Sequence, residues 1–189
     1  MKSVLMSIKP KYCELIANGK KTVEVRKNRP KLETPFKCYI YCTKPKYEHE
    51  DFIDMGTADR FFYGGGKVIG EFVCDEILDY KFADVSTDVG VFYYYERYIT
   101  QKSYDINSLD DCLTDDELLD YGNYKNLYGW HISDLKVYDK PKELSEFKKI
   151  NRECWYADLG LAKRDCPECK NADCFLTRPP QSWCYVDEI

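Results

Sequence analysis

The chain has 189 residues, with 28 Lys or Arg against 33 Asp or Glu, a formal net charge of −5, 15% aromatic residues and ten cysteines. That length suits a single domain with a sizeable core. No apolar run reaches the roughly twenty residues that a membrane-spanning helix needs, and no signal peptide, internal repeat or low-complexity tract is evident, so a cytoplasmic protein is expected.

The charge is unevenly placed. Residues 1–31 hold nine Lys or Arg and two acids, Glu14 and Glu24, so this segment is strongly positive while the remainder is strongly negative. Such asymmetry points the first segment toward an anionic partner, above all a polynucleotide. Solvated surface lysines are the alternative reading.

In chain order, Ser3–Ile8 reads as a buried strand. Pro10 fits the first turn of a helix, which Tyr12, Cys13, Leu15 and Ile16 continue with an apolar stripe and Asn18-Gly19 stops. The period then changes to two: Val23 and Val25 would face a core, with Thr22, Glu24 and Arg26 sharing the opposite face. Lys20 and Lys21 fall in the turn between helix and strand. Two ammonium groups and a Thr/Glu/Arg face are therefore expected to converge on one cleft.

Phe36–Thr43 reads as a strand and 44–66 as irregular, with Tyr63-Gly64-Gly65-Gly66 as a hairpin or lid. The triple glycine lacks the Gly-Lys-Ser/Thr ending of a phosphate cradle. Lys67–Tyr80 is expected as one long strand with Gly70 as the candidate bend. Asp110–Tyr121 is expected as an acidic amphipathic helix, Asp115, Asp116 and Glu117 lying in its first turns, and His131 as a hydrogen-bonded structural residue in a core strand.

The run Gly19-Lys20-Lys21-Thr22-Val23-Glu24-Val25-Arg26-Lys27, placed after a strand and a short helix, resembles the ASCH domain family of the PUA-like superfamily. Lys67–Phe72, Tyr128–Tyr138 and Arg178–Val186 extend the resemblance over nearly the whole chain. It implies an α+β fold, a small PUA-like β-barrel with flanking helices, as one domain over 1–189. It also implies a cleft beside the first helix that holds RNA or a modified nucleoside.

Five cysteines crowd the C-terminal part. Cys166-Pro167-Glu168-Cys169 is a C-x2-C knuckle, Cys174 follows, and Cys154 and Cys184 flank the group. A structural zinc insertion over 154–184 is expected, held by Cys166, Cys169, Cys174 and either Cys154 or Cys184. The metal would offset the ordering entropy of a polar loop. Disulfides or unbound thiols are the alternatives. The remaining cysteines, Cys13, Cys38, Cys42, Cys74 and Cys112, read as small apolar residues.

Three functions compete. In the first, Lys20, Lys21, Thr22, Arg26, Lys27 and Arg29 contact RNA or a modified nucleotide while tyrosines stack on unpaired bases. In the second, the resemblance to small amidohydrolases of N4-acylated cytidines makes Lys21 and Glu24 the catalytic candidates, with a ribonuclease using the same cleft as a variant. Glu24 stands where those enzymes carry a Thr nucleophile, which requires a changed mechanism, Glu24 serving as a general base on water. A Glu24–Arg26 ion pair explains the same residues without chemistry. The third is an adaptor of phage or mobile-element origin that uses the acidic surface.

Overall fold

The computed structural model describes residues 2–44, 52–54, 61–63, 65–98, 109–150 and 175–189. The chain runs β1 (Lys2–Ile8), α1 (Pro10–Ala17), β2 (Val23–Arg26), β3 (Phe36–Cys42), β4 (Phe52–Asp54), β5 (Phe61–Tyr63), β6 (Val68–Cys74), β7 (Ile77–Thr87), β8 (Gly90–Tyr98), α2 (Asp115–Gly122), β9 (Leu127–His131), β10 (Ser133–Lys142) and β11 (Trp183–Asp187). Its residues group into two units, one of Met1–Cys13, Lys37–Glu71 and Lys136–Ile189, the other of Glu14–Phe36 and Phe72–Leu135.

The first unit carries a five-stranded sheet in the order β10-β6-β3-β1-β11. β1 pairs in parallel with β3, Val4 opposite Cys38, and antiparallel with β11, Lys2 opposite Asp187. β1 and β3 are buried along almost their whole length, as strands covered on both faces should be. Leu5, Tyr39, Val68, Phe147 and Val186 meet in this unit's core. Gly70 is required because a Cβ there would stand 2.5 Å from the carbonyl oxygen of Lys136.

The second unit carries a four-stranded sheet in the order β2-β9-β7-β8. Every pairing that is resolved in it is antiparallel, Glu24 lying opposite Trp130 and Leu78 opposite Gly129. Val23, Val25, Leu78, Tyr80, Tyr95, Leu118 and Leu127 form its core.

The first three elements follow the sequence reading, and Gly19 has the positive φ, 68°, of a left-handed helix stop. Several expectations are corrected. The stretch 44–66 is not wholly irregular, because β4 and β5 form a two-stranded antiparallel pair. Lys67–Tyr80 is two strands, parted at Asp75-Glu76, where Cys74 Sγ donates to the Glu76 carbonyl and Asp75 meets His131. The acidic helix begins at Asp115, five residues late. Thr114 caps it by accepting from Glu117 N at 3.2 Å, and the Glu117 carboxylate accepts from Thr114 N at 2.9 Å. Residues 110–114 are instead an irregular segment in which Cys112 takes a positive φ of 54°.

Cys154, Cys166, Cys169 and Cys174 lie outside the described residues. Cys184 is half-buried in β11, and burial pushes its thiol up to about 11. Of the five cysteines expected as small apolar residues, Cys13, Cys38, Cys42 and Cys74 are buried and Cys112 is half-buried. Among the described residues no group of His, Cys, Asp and Glu could hold a metal, and no helix is long and apolar enough to cross a membrane.

Candidate functional site

β2 is only four residues long, yet every position on it is buried. Val23 and Val25 enter the core as their alternation requires. The opposite, polar face is closed as well. Lys21 is 2% exposed and Glu24 and Arg26 are each 6% exposed. Charged residues stay this buried only when paired and hydrogen-bonded.

The pairing is on the strand itself. The Glu24 carboxylate lies 2.9 Å from the Arg26 guanidinium and 3.5 Å from the Lys21 ammonium. Lys21 Nζ also donates to the carbonyl oxygen of Asp111. One carboxylate therefore serves two cations, and a main-chain carbonyl ninety residues away closes over the lysine.

The segment 110–112 supplies that closure. The Asp110 carbonyl accepts from Thr22 N at 2.8 Å and Val23 N at 3.0 Å, and Asp110 N donates to Thr22 Oγ1 at 2.8 Å. The Asp111 side chain accepts from the Tyr80 hydroxyl at 2.8 Å and from Leu113 N at 3.0 Å, with Arg97 at 3.5 Å. Burial and the adjoining Asp111 charge push the Tyr80 phenol far up, so it stays a donor. Cys112 Sγ donates to the Lys20 carbonyl at 3.5 Å, its thiol raised by burial and then by Asp110.

At the other end of β2, Tyr121 from α2 caps the ion cluster. Its hydroxyl accepts a hydrogen bond from the Arg26 side chain, and the Lys27 ammonium lies 5.0 Å from its ring centroid. Burial raises the phenol pKa while Arg26 pulls it down. Tyr121 remains more than a third exposed.

The sequence-predicted residues therefore divide into two groups. Lys21, Glu24 and Arg26 come together as an internal network, whereas the side chains of Lys20, Lys27 and Arg29 are exposed. The two adjacent lysines do not present their ammonium groups to one open surface. Thr22, half-buried, is engaged with the Asp110 main chain. The Glu24–Arg26 ion pair read from the sequence is present. His131 holds Asp75 through Nδ1 at 2.6 Å, the contact of a structural histidine. Sequence reasoning missed Asp111, Tyr80, Arg97 and Tyr121. Asp111 and Tyr121 stood inside the expected helix, where their spacing gave no sign of a contact with β2.

The ASCH domain model matches residues 6–142. The chain belongs to the ASCH domain family, and it has that family's α+β fold. It is similar in structure to ASCH from Zymomonas mobilis, with 16% identity and a TM-score of 0.53, covering 98% of this chain and 88% of that one. A tyrosine-to-phenylalanine variant of the Zymomonas mobilis protein gives 17% identity and a TM-score of 0.53, covering 100% of this chain and 92% of that one. No curated protein matches the chain.

Proposed function

We propose that this protein binds single-stranded RNA or a modified nucleotide where the chain leaves β2, with Lys27 and Arg29 meeting phosphates and Tyr121 offering a ring to a base. The observation that carries this reading is the end of β2. There an exposed aromatic ring is held from behind by Arg26 and flanked by the Lys27 ammonium. Cations supply affinity and a ring supplies sequence-tolerant stacking, the combination that unpaired RNA requires. Lys21, Glu24 and Thr22 brace this surface from within. The acids Asp110, Asp115 and Asp116 beside the start of β2 and along α2 turn a polyanion toward the Lys27–Lys31 side. Membership of the ASCH family is compatible with this partner.

The test is fluorescence anisotropy with a short single-stranded RNA across a salt series. Lys27→Ala with Arg29→Ala should weaken binding and reduce the log–log salt slope by about 1.4, two phosphate contacts at about 0.7 each. An unchanged slope rejects the surface.

One observation favours a hydrolytic reading of the ion cluster behind this surface. Lys21 and Glu24 are buried 3.5 Å apart, a cation held beside a candidate general base. In that reading Glu24 takes a proton from the water that attacks the acyl carbon, Lys21 stabilises the oxyanion formed on an N4-acylated cytidine, and Glu24 returns the proton to N4 as the acyl C–N bond breaks, releasing the carboxylic acid and cytidine. Release of the acyl group from N4-acetylcytidine, or cleavage of the RNA strand, abolished in Glu24→Gln with the fold retained, would favour this reading over binding alone.

A further inference from the structure

The base of the β7–β8 ribbon holds Asp111 through Tyr80 and Arg97, but its outer part, beyond these two residues, has no counterpart in the RNA surface and no role in the ion cluster. β9 pairs with β7 only over Ile77–Tyr80, whereas β7 and β8 pair without a bulge from Asp79–Tyr98 to Thr87–Gly90. Beyond Tyr80 the described structure is thus a two-stranded ribbon, and β8 forms the margin of its sheet. An unsupported two-stranded ribbon is marginal in water.

The register sorts its side chains into two faces. Phe82, Tyr93 and Tyr95 share one face, and the end of α2 covers part of it. Tyr124 packs edge-on against Phe82 and Tyr93, and the Tyr95 hydroxyl donates to the Lys125 carbonyl at 2.8 Å. The opposite face carries Ala83 with Tyr94 and Val85 with Phe92, ending at Lys81 opposite Glu96. The large apolar residues of the ribbon's outer half stay in solvent, from 36% for Tyr94 to 85% for Val89. Four of these, Val91, Phe92, Tyr93 and Tyr94, are consecutive on β8, so the uncovered surface follows the strand's edge and wraps both faces.

Natural sheet margins are protected by Lys, Pro, bulges or very short strands. β8 spans nine residues, and Gly90–Tyr95 contains none of these devices. Taken together, its exposed side chains offer about 500 Å² per copy at the burial areas typical of such residues. Two copies would remove about 1,000 Å², the lower bound for a specific interface and short of the standard ~1,600 Å². That area fits a weak, reversible pair.

We infer that β8 is a self-association edge: two copies of this chain pair β8 to antiparallel β8 about a two-fold axis, joining their four-stranded sheets. A two-fold contact uses the same strand on both partners and closes, so assembly stops at the dimer. The occupant's required chemistry is an unpaired strand edge flanked by aromatic side chains, and a second β8 supplies it.

Sedimentation velocity of the full chain from about 1 to 200 µM should show a monomer–dimer equilibrium with a dissociation constant in the micromolar range. Phe92→Lys with Tyr94→Lys places two cations on the uncovered face and leaves the Tyr93–Tyr124 contact untouched. It should weaken the dimer at least about tenfold while the thermal midpoint stays unchanged. Hydrogen exchange of the wild type should show residues 91–95 protected at high concentration and exposed on dilution. A wild-type monomer throughout the range, an equally tight dimer in the folded variant, or larger open oligomers would overturn the inference. If the variant does not fold, concentration-independent exchange at 91–95 in the wild type overturns it.

Discussion

Glu24→Gln isolates the energetics of β2. The substitution keeps the side-chain volume and removes the one negative charge that faces both Arg26 at 2.9 Å and Lys21 at 3.5 Å. Both cations are almost fully withdrawn from water, so the variant must keep them buried without their carboxylate or open the strand to hydrate them. Breaking a buried ion pair by removing one partner costs about 3–5 kcal/mol, and the amide oxygen of Gln still accepts one hydrogen bond, which sets the expectation near about 3 kcal/mol. For a chain of this size that lowers the thermal midpoint by roughly 6–12 °C. Trp130, fully buried and directly opposite Glu24, is a built-in fluorescence reporter for urea unfolding. The triple replacement Lys21→Met, Glu24→Leu and Arg26→Met removes all three charges, so it should be substantially more stable than the single variant. A loss below about 0.5 kcal/mol for Glu24→Gln, the size of a solvated pair, would refute the argument. So would a triple variant no more stable than the single one.

Other expectations concern packing and metal. Gly129→Ala should destabilise by about 1–3 kcal/mol in denaturant titration, because its new Cβ would lie 2.5 Å from Tyr80 Cε2 and 2.8 Å from Val23 Cγ1. A change near zero would mean that these strands yield. Native mass spectrometry should find one zinc per chain, lost to a chelator and in Cys169→Ser. Either Cys154 or Cys184 is the expected fourth ligand, and Cys154→Ser and Cys184→Ser, measured the same way, decide between them. A mass unchanged by chelator would leave that cluster without metal.

The local elements near the N-terminus were legible because their signals are local. Pro10 opens α1, Asn18-Gly19 ends it, and alternating valines announce β2. The same stretch concealed the burial of Lys21 and Arg26, since that depends on a carbonyl at Asp111 and a ring at Tyr121, ninety or more residues away. A run of acids at 110–117 looks like one helix until Thr114 and Glu117 are recognised as a reciprocal cap that fixes the start at Asp115. Continuity of apolar residues likewise hid the break at Asp75-Glu76. The β7–β8 ribbon went unread because its tyrosines carry the same mixed polarity on both faces and so lack the alternation that marks a half-buried strand.

The bonds from Thr22 and Val23 to the Asp110 carbonyl also limit how the molecule can meet its own kind. They fasten an irregular stretch across the opening residues of β2, which blocks that border of the second sheet against docking by a foreign strand. Within this sheet, among the described residues, recruitment is thereby left to the β8 border. A sheet sealed on one side and receptive on the other can gain a companion without seeding a fibre.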